Sequence, residues 1–410
     1  MAARAAGAKP ETDADSARYP QQMHDLAASS PDVVVVGGGI VGTSAAAFLS
    51  DAGARVVVIE REGLASGASG ANSGIVQHPF DPVMAQLYRA TLDLYRTLTT
   101  QSRGFPFGPE PAGMLFISAD AAVVREEQRA ITAAFPSIRT ELLAGADLQR
   151  LEPAVGPELW ACLADIGYPV MPGSSTYAYA TLAEERGALI RQGRAAALEF
   201  AGDAVVGVRV DGRLLPAGAV LAAAGPWTPE LLDPTGHWRP IRPTWGVVVE
   251  AEVAAPPRHI LEEAGIEATI GVPAGVRDAA ETVAPAENAV DFSLVPLPGA
   301  SAVGSTFLHG EPDPSAWIEA ILLNASRFVP AVTDAPIRGV RACARPQCDD
   351  GRPLVGAVPG FERLYVCAGH GPWGISTGPA SARLVADLML GRQSVIAAEL
   401  SPDRFGVPGD

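Results

Sequence analysis

The chain has 410 residues, 48% hydrophobic and 19% charged, enough apolar material for a large core in two domains or one elaborate one. A formal net charge of −16 leaves no basic stripe for phosphate contacts, so neither nucleic acid nor an anionic membrane surface is an expected partner. The four cysteines, Cys162, Cys343, Cys348 and Cys367, form no C-x-x-C pair and no zinc spacing; no metal site is expected, and such sparse usage fits a reducing compartment, hence a cytoplasmic protein.

Residues 1–31 are rich in Ala, Asp, Ser, Gln and Pro and carry no apolar stretch of signal-peptide length. They read as a disordered or loosely attached extension. The stretch from Asp32 to Glu60 follows. An apolar run, Val33 to Val36, leads into Gly37, Gly39 and Gly42 in the G-x-G-x-x-G frame. Ile40 and Val41 lie between the glycines, an alanine-rich stretch of helical spacing runs from Thr43 to about Asp51, and a second apolar run, Arg55 to Ile59, ends at Glu60. Gly37 permits a sharp turn, Gly39 a close approach of backbone to a pyrophosphate, and Gly42 tight packing of helix on strand. The helix N-terminus offers free N–H groups to phosphates. Glu60, 18 residues after Gly42, can accept hydrogen bonds from a ribose diol. This is a dinucleotide site, and the motif alone leaves NAD and FAD both open. Val33 to Leu49 is apolar, but its three glycines and the strand that follows argue against a membrane span.

Arg61 and a tract of small residues, Ala65 to Gly74, come next; such a tract can lie closely against a flat ligand. Helices are expected over Pro82–Gln101, Ala121–Phe135, Tyr177–Gln192, Pro314–Phe328 and about Thr377–Leu390. Strands are expected at Met114–Ser118, in short runs from Ala195 to Val210, at Val220–Gly225, Thr244–Ala251, Ala289–Val295, Ala302–Phe307 and Leu364–Ala368. Val253 to Glu287 reads partly as loop. After the last strand, Gly369-His370-Gly371-Pro372-Trp373-Gly374 forms a second glycine turn before a helix, again aiming backbone donors at a negatively charged ligand atom. The nucleotide domain is therefore expected to use both chain ends and a middle segment: 32–78, 177–235 and 346–400. The intervening 79–176 and 236–345 would form a substrate domain.

Four blocks resemble the FAD-dependent D-amino-acid oxidase superfamily, in its glycine oxidase, sarcosine oxidase and D-amino-acid dehydrogenase branch. They are V-V-V-V-G-G-G-I-V-G-T-S through Glu60-Arg61; A-S-G-A-S-G-A-N-S-G-I-V; A-V-L-A-A-A-G-P-W-T, which contains Gly225; and C-A-R-P-Q-C-D-D-G-R-P-L-V-G-A-V from Cys343, continued by L-Y-V-C-A-G-H-G-P-W-G-I-S-T-G-P-A. The resemblance implies an α/β (α+β overall) fold: a Rossmann-like FAD domain with an inserted substrate domain on a mixed or antiparallel sheet. It implies FAD rather than NAD. Glu60 would hold the adenosine ribose, with Arg61 beside it; Ala68, Ser69, Ser73, Gly74 and Ile75 would line the pyrophosphate and flavin, and Ala196 the adenine side. His370, Gly371, Gly374, Ile375 and Ser376 would wrap the pyrimidine end of the flavin.

The implied chemistry is oxidation of a C–N bond in an amino acid or secondary amine, by hydride transfer to the flavin and hydrolysis of the resulting imine. Arg345, in A-R-P, matches the arginine that grips the substrate carboxylate, alone or with Arg242. Cys343 keeps a seven-residue spacing to Asp350 that matches the flavin-bonded cysteine of sarcosine oxidases. Glycine oxidases lack it, and both modes stay open. Pro372 or Trp373 stands where glycine oxidases carry a second arginine, and Cys348-Asp349-Asp350 replaces their T-P-D. A bulkier substrate is expected, with Tyr177, Tyr179, Trp245 or Trp373 as walls. Two alternatives remain: a 2-hydroxy-acid oxidoreductase using His78 or His370 as base, and a non-catalytic flavin subunit. Oligomeric state is not legible.

Overall fold

The computed structural model describes residues 30–101, 104–266, 290–392 and 396–409. The expected N-terminal extension lies outside them except for residues 30 and 31, as does most of the Val253–Glu287 segment. Two sheets organise the rest. The first has six strands in the order Leu354–Ala357, Leu364–Ala368, Ala219–Ala222, Val33–Val36, Val56–Ile59, Leu189–Arg191. All neighbouring pairs are parallel except the antiparallel pair at the Leu354–Ala357 edge. Val33–Val36 and Val56–Ile59 are buried throughout, as continuous β-branched runs in a covered parallel sheet should be.

The helix Ile40–Asp51 explains why that sheet is covered. Eleven of its twelve residues are buried, so it is an internal helix rather than an amphipathic surface one. Its small residues let two other helices, Ser174–Glu185 and Gly374–Met389, pack against it. Phe48 and Leu49 seal the layer, each contributing about 1.5–3 kcal/mol by burial. Gly42 sets the helix–strand distance. A Cβ there would lie 2.0 Å from the Gly37 carbonyl oxygen, and one on Gly37, at φ +118°, would lie 2.3 Å from that of Ala223.

The second sheet has eight strands, in the order Ile337–Cys348, Ile241–Ala251, Ser301–Thr306, Val290–Val295, Ile260–Glu263, Met114–Ser118, Trp160–Ala164, Thr140–Ala144. It is antiparallel apart from the parallel pair between Ile260–Glu263 and Met114–Ser118. One face carries Val247, Val249, Leu261, Phe292 and Leu294 into a core closed by Trp317, Ile321 and Phe328. Mixed α/β architecture with a mixed sheet is thus as expected from the sequence.

Several elements differ in extent. The helix expected over Tyr177–Gln192 runs only over Ser174–Glu185; Gly187, at φ +92°, turns the chain, and Leu189–Arg191 joins the first sheet beside Val56–Ile59. Pro314–Phe328 divides into a 3₁₀ turn, Pro314–Trp317, and the helix Ile318–Ser326. The longest strand, Ile337–Cys348, carries the Arg345 motif as the edge of the second sheet.

Candidate active site

One cavity of about 750 Å³ touches both sheets. That volume is typical of a ligand site. Gly37, Gly39, Ile40, Val41, Glu60, Arg61, Ala68, Ser69, Ser73, Ile75, Ala196 and Gly225 line it from the side of the first glycine turn. Cys343, Arg345, His370, Gly371, Gly374 and Ile375 line it elsewhere. Three of the residues picked from sequence lie outside the lining. Gly42 packs helix on strand; Gly74, at φ +85°, pairs with Val170; and Ser376 Oγ, buried, accepts the Gln77 N–H at 2.9 Å.

The glycine turn is fixed from both ends. Glu60 Oε2 accepts the Gly38 N–H at 2.6 Å, and its Oε1 accepts the Glu62 N–H at 2.8 Å. Ser69 Oγ accepts the Ile40 N–H at 2.9 Å, tying the small-residue tract to the start of the helix. Gly39 leaves wall space that a side chain would fill: its Cβ would meet only Ser69. Arg61 stacks over Trp227 at 4.6 Å, and both line the cavity. The N-terminus of a buried helix, a fixed carboxylate and a side-chain-free wall fit the pyrophosphate and ribose of a dinucleotide.

Arg345 lies flat on the second sheet. Its Nη1 donates to the Thr306 carbonyl at 2.8 Å, its Nη2 to Ser305 Oγ at 2.6 Å, and the guanidinium stacks on Phe307 at 4.3 Å. Gly246 makes the room: a Cβ there would sit 2.3 Å from Arg345 Nη2. Asp349 and Asp350, the carboxylates close in sequence, are engaged elsewhere. Asp349 accepts from Arg242 at 2.6 and 2.9 Å, and Asp350 accepts from Arg404. Arg242 therefore sits in an exposed ion pair and does not line the cavity with Arg345.

The two histidines separate. His370 is 1% exposed, lines the cavity, and its Nε2 has no hydrogen-bond partner among the described residues. Burial holds its imidazole down to about 3, so it is neutral at pH 7. His78 lies instead in an aromatic cage of Phe80, Tyr88 and Phe135, its Nδ1 accepting the Phe80 N–H. Burial, with Arg89 nearby, holds it down to about 4, and it does not line the cavity. Cys343 does line it, and burial raises its thiol pKa while Arg345 and Arg341 draw it back.

Of the expected aromatic walls, only Trp373 lines the cavity. Tyr177 is exposed and donates to the Leu64 carbonyl; Tyr179 is core, and Trp245 packs behind the second sheet. Phe307 and Trp227 line it instead, with Gln77, Glu262, Asp291 and Ser293. No local motif marks these residues. Strand register brings them together, with Glu262 directly opposite Ser293.

The family model described as FAD dependent oxidoreductase (DAO) matches residues 32–388. The chain belongs to the DAO family. It is an FAD-dependent oxidoreductase. A glycine oxidase of Pseudomonas aeruginosa is 28% identical over 397 residues, covering 90% of this chain and 97% of that protein. Among solved structures, glycine oxidase from Geobacillus kaustophilus matches with a TM-score of 0.76 and 22% identity, over 91% of this chain and 98% of that one. Iminodiacetate oxidase from Chelativorans sp. BNC1 matches with a TM-score of 0.76 and 21% identity, over 90% and 98%. At these identities the two structures speak to the fold alone. Among the described residues no helix is long and apolar enough to cross a membrane.

Proposed function

We propose that the chain oxidises the C–N bond of an amino acid or secondary amine. The observation that carries this is Arg345, a guanidinium flattened against the second sheet on the wall of the cavity that also reaches the glycine turn. Its forked N–H groups suit a carboxylate, and a two-point grip fixes the neighbouring Cα in one orientation. The curated relative named for glycine supports this reading, since glycine pairs an amine with a carboxylate.

In this reading Gly39 and the helix N-terminus after it cradle the pyrophosphate and Glu60 the ribose. Bound FAD supplies the two-electron acceptor. Gly371, Gly374 and Ile375 present backbone N–H groups at the start of the helix Gly374–Met389, where they favour negative charge. Phe307, stacked on Arg345, excludes water beside it, and Trp373 adds apolar surface to the same cavity. A substrate amine bound in its neutral form needs no side-chain base.

A second reading, oxidation of a 2-hydroxy acid, draws on His370. A neutral imidazole with an unpartnered Nε2 on the cavity wall can accept a hydroxyl proton. Anaerobic bleaching of the flavin absorbance separates the two. A panel of D-amino acids, glycine, N-methyl amino acids and 2-hydroxy acids should bleach with amines. Bleaching by hydroxy acids only would overturn the first reading.

A further inference from the structure

We infer that Arg341 is a positioning residue for the flavin cofactor: from the second sheet it holds the small-residue tract in the place where Ser69 meets the pyrophosphate. This rests on the pyrophosphate placement at Gly39 and not on the choice of substrate. The tract needs an outside hold. Its helix, Ala68–Ala71, is four residues long and has no buried residue, so no apolar anchor fixes it. The carbonyls at its end have no following turn to donate to them. Arg341 supplies those donors: Nε to the Ala71 and Asn72 carbonyls at 3.3 Å each, and Nη2 to the Asn72 carbonyl at 2.9 Å. Its Nη1 donates to Glu250 Oε1 on the neighbouring strand, and its side chain is 17% exposed, so the guanidinium is braced by its own sheet.

A short relay runs from there to the glycine turn. Asn72, whose carbonyl Arg341 holds, sends its side-chain amide back to the Ala68 and Ser69 carbonyls at 3.1 and 2.8 Å. The Gly173 N–H adds a bond to the Ser69 carbonyl at 3.0 Å. Ser69 Oγ then accepts the Ile40 N–H, at the start of a helix whose N-cap, Gly39, has no side chain to do so. A hydroxyl that accepts one bond still has its own O–H to donate. Ser69 and Gly39 both line the cavity, and a Cβ on Gly39 would lie 3.0 Å from Ser69 Oγ, so that O–H stands where a phosphate oxygen approaches the turn. Arg341 does not line the cavity; it acts through Ser69.

A double-mutant cycle on the holoenzyme tests the relay without turnover. Diluted protein releases flavin, whose fluorescence gives the FAD dissociation constant, and thermal unfolding is read in parallel. Arg341→Gln and Ser69→Ala should each weaken FAD binding about tenfold, Arg341→Lys less than Arg341→Gln, and the double variant about as much as the stronger single one. Flavin occupancy on purification should follow the same order. Unaltered FAD binding by Arg341→Gln, whatever its melting temperature, overturns the inference, since a merely structural arginine would move the melting temperature alone; if Ser69→Ala is weakened there, the pyrophosphate placement stands. Additive losses in the double variant, about a hundredfold, also overturn the inference. So does a Ser69→Ala variant that holds FAD like the wild type, and a fully yellow Gly39→Val beside it removes the pyrophosphate placement as well.

Discussion

Replacing Arg345 by alanine is the sharpest test of the proposed carboxylate grip. Two effects must be kept apart. The guanidinium donates to the Thr306 carbonyl and to Ser305 Oγ and stacks on Phe307, so its loss leaves acceptors unsatisfied in a half-buried wall. That should cost about 1–3 kcal/mol of stability. The catalytic effect is larger, because a substrate carboxylate would enter the cavity with no cation to receive it. We expect about 2–5 kcal/mol in kcat/KM, a fall of roughly 30- to 5,000-fold. Arg345→Lys keeps the charge without the planar fork and should fall between. Stopped-flow reduction of the bound flavin reads the chemistry, and absorbance at full flavin occupancy with thermal unfolding reads the fold. A folded, yellow alanine variant reduced at the wild-type rate would refute the argument and favour an amine lacking a carboxylate.

Four further outcomes follow. Gly39→Val should fold yet purify colourless, because its Cβ meets only Ser69 but projects from the cavity wall; a yellow, fully occupied variant sinks the pyrophosphate placement. Gly42→Ala should instead lose about 1–3 kcal/mol of stability, through its clash with the Gly37 carbonyl, as read by denaturant melts. Flavin should remain wholly in the supernatant after acid precipitation, since burial disfavours the Cys343 thiolate needed as nucleophile; a yellow pellet would establish covalent attachment. Acid should destabilise the fold through its buried histidines. His78 and His370 stay neutral when folded, down to about 4 and about 3, but protonate near 6.5 when unfolded. Their contribution is complete above pH 6.5 and is lost as pH falls toward those values, by about 1.4 kcal/mol per pH unit for each. His78→Asn should flatten the melting temperature between pH 6.5 and 4.5; an unchanged slope removes His78 from the account.

The first glycine turn was legible because its physics is local. Gly37, Gly39, Gly42 and Glu60 lie within 24 consecutive residues, and each acts on a neighbour in the same β-α-β unit. Hydrophobic runs likewise marked Val33–Val36 and Leu364–Ala368. Where local pattern misled, a long-range partner had decided. Leu189–Arg191 reads as a helix tail until the open edge of Val56–Ile59 is there to pair with it. His78 reads as a candidate base until Phe80, Tyr88 and Phe135 close around it.

The cavity itself divides along the same line. At one end, the donors that suit a dinucleotide come from consecutive backbone, so a short motif announces them. At the other, Arg345 depends on Gly246 for space, on Ser305 and Thr306 for acceptors and on Phe307 for its stacking surface. Glu262 and Asp291 reach that end only through strand pairing. Register, not spacing, assembles them, and a shift of one residue would turn both carboxylates into the core. Cofactor chemistry can therefore be inherited with a motif while the substrate changes by single residues on scattered strands.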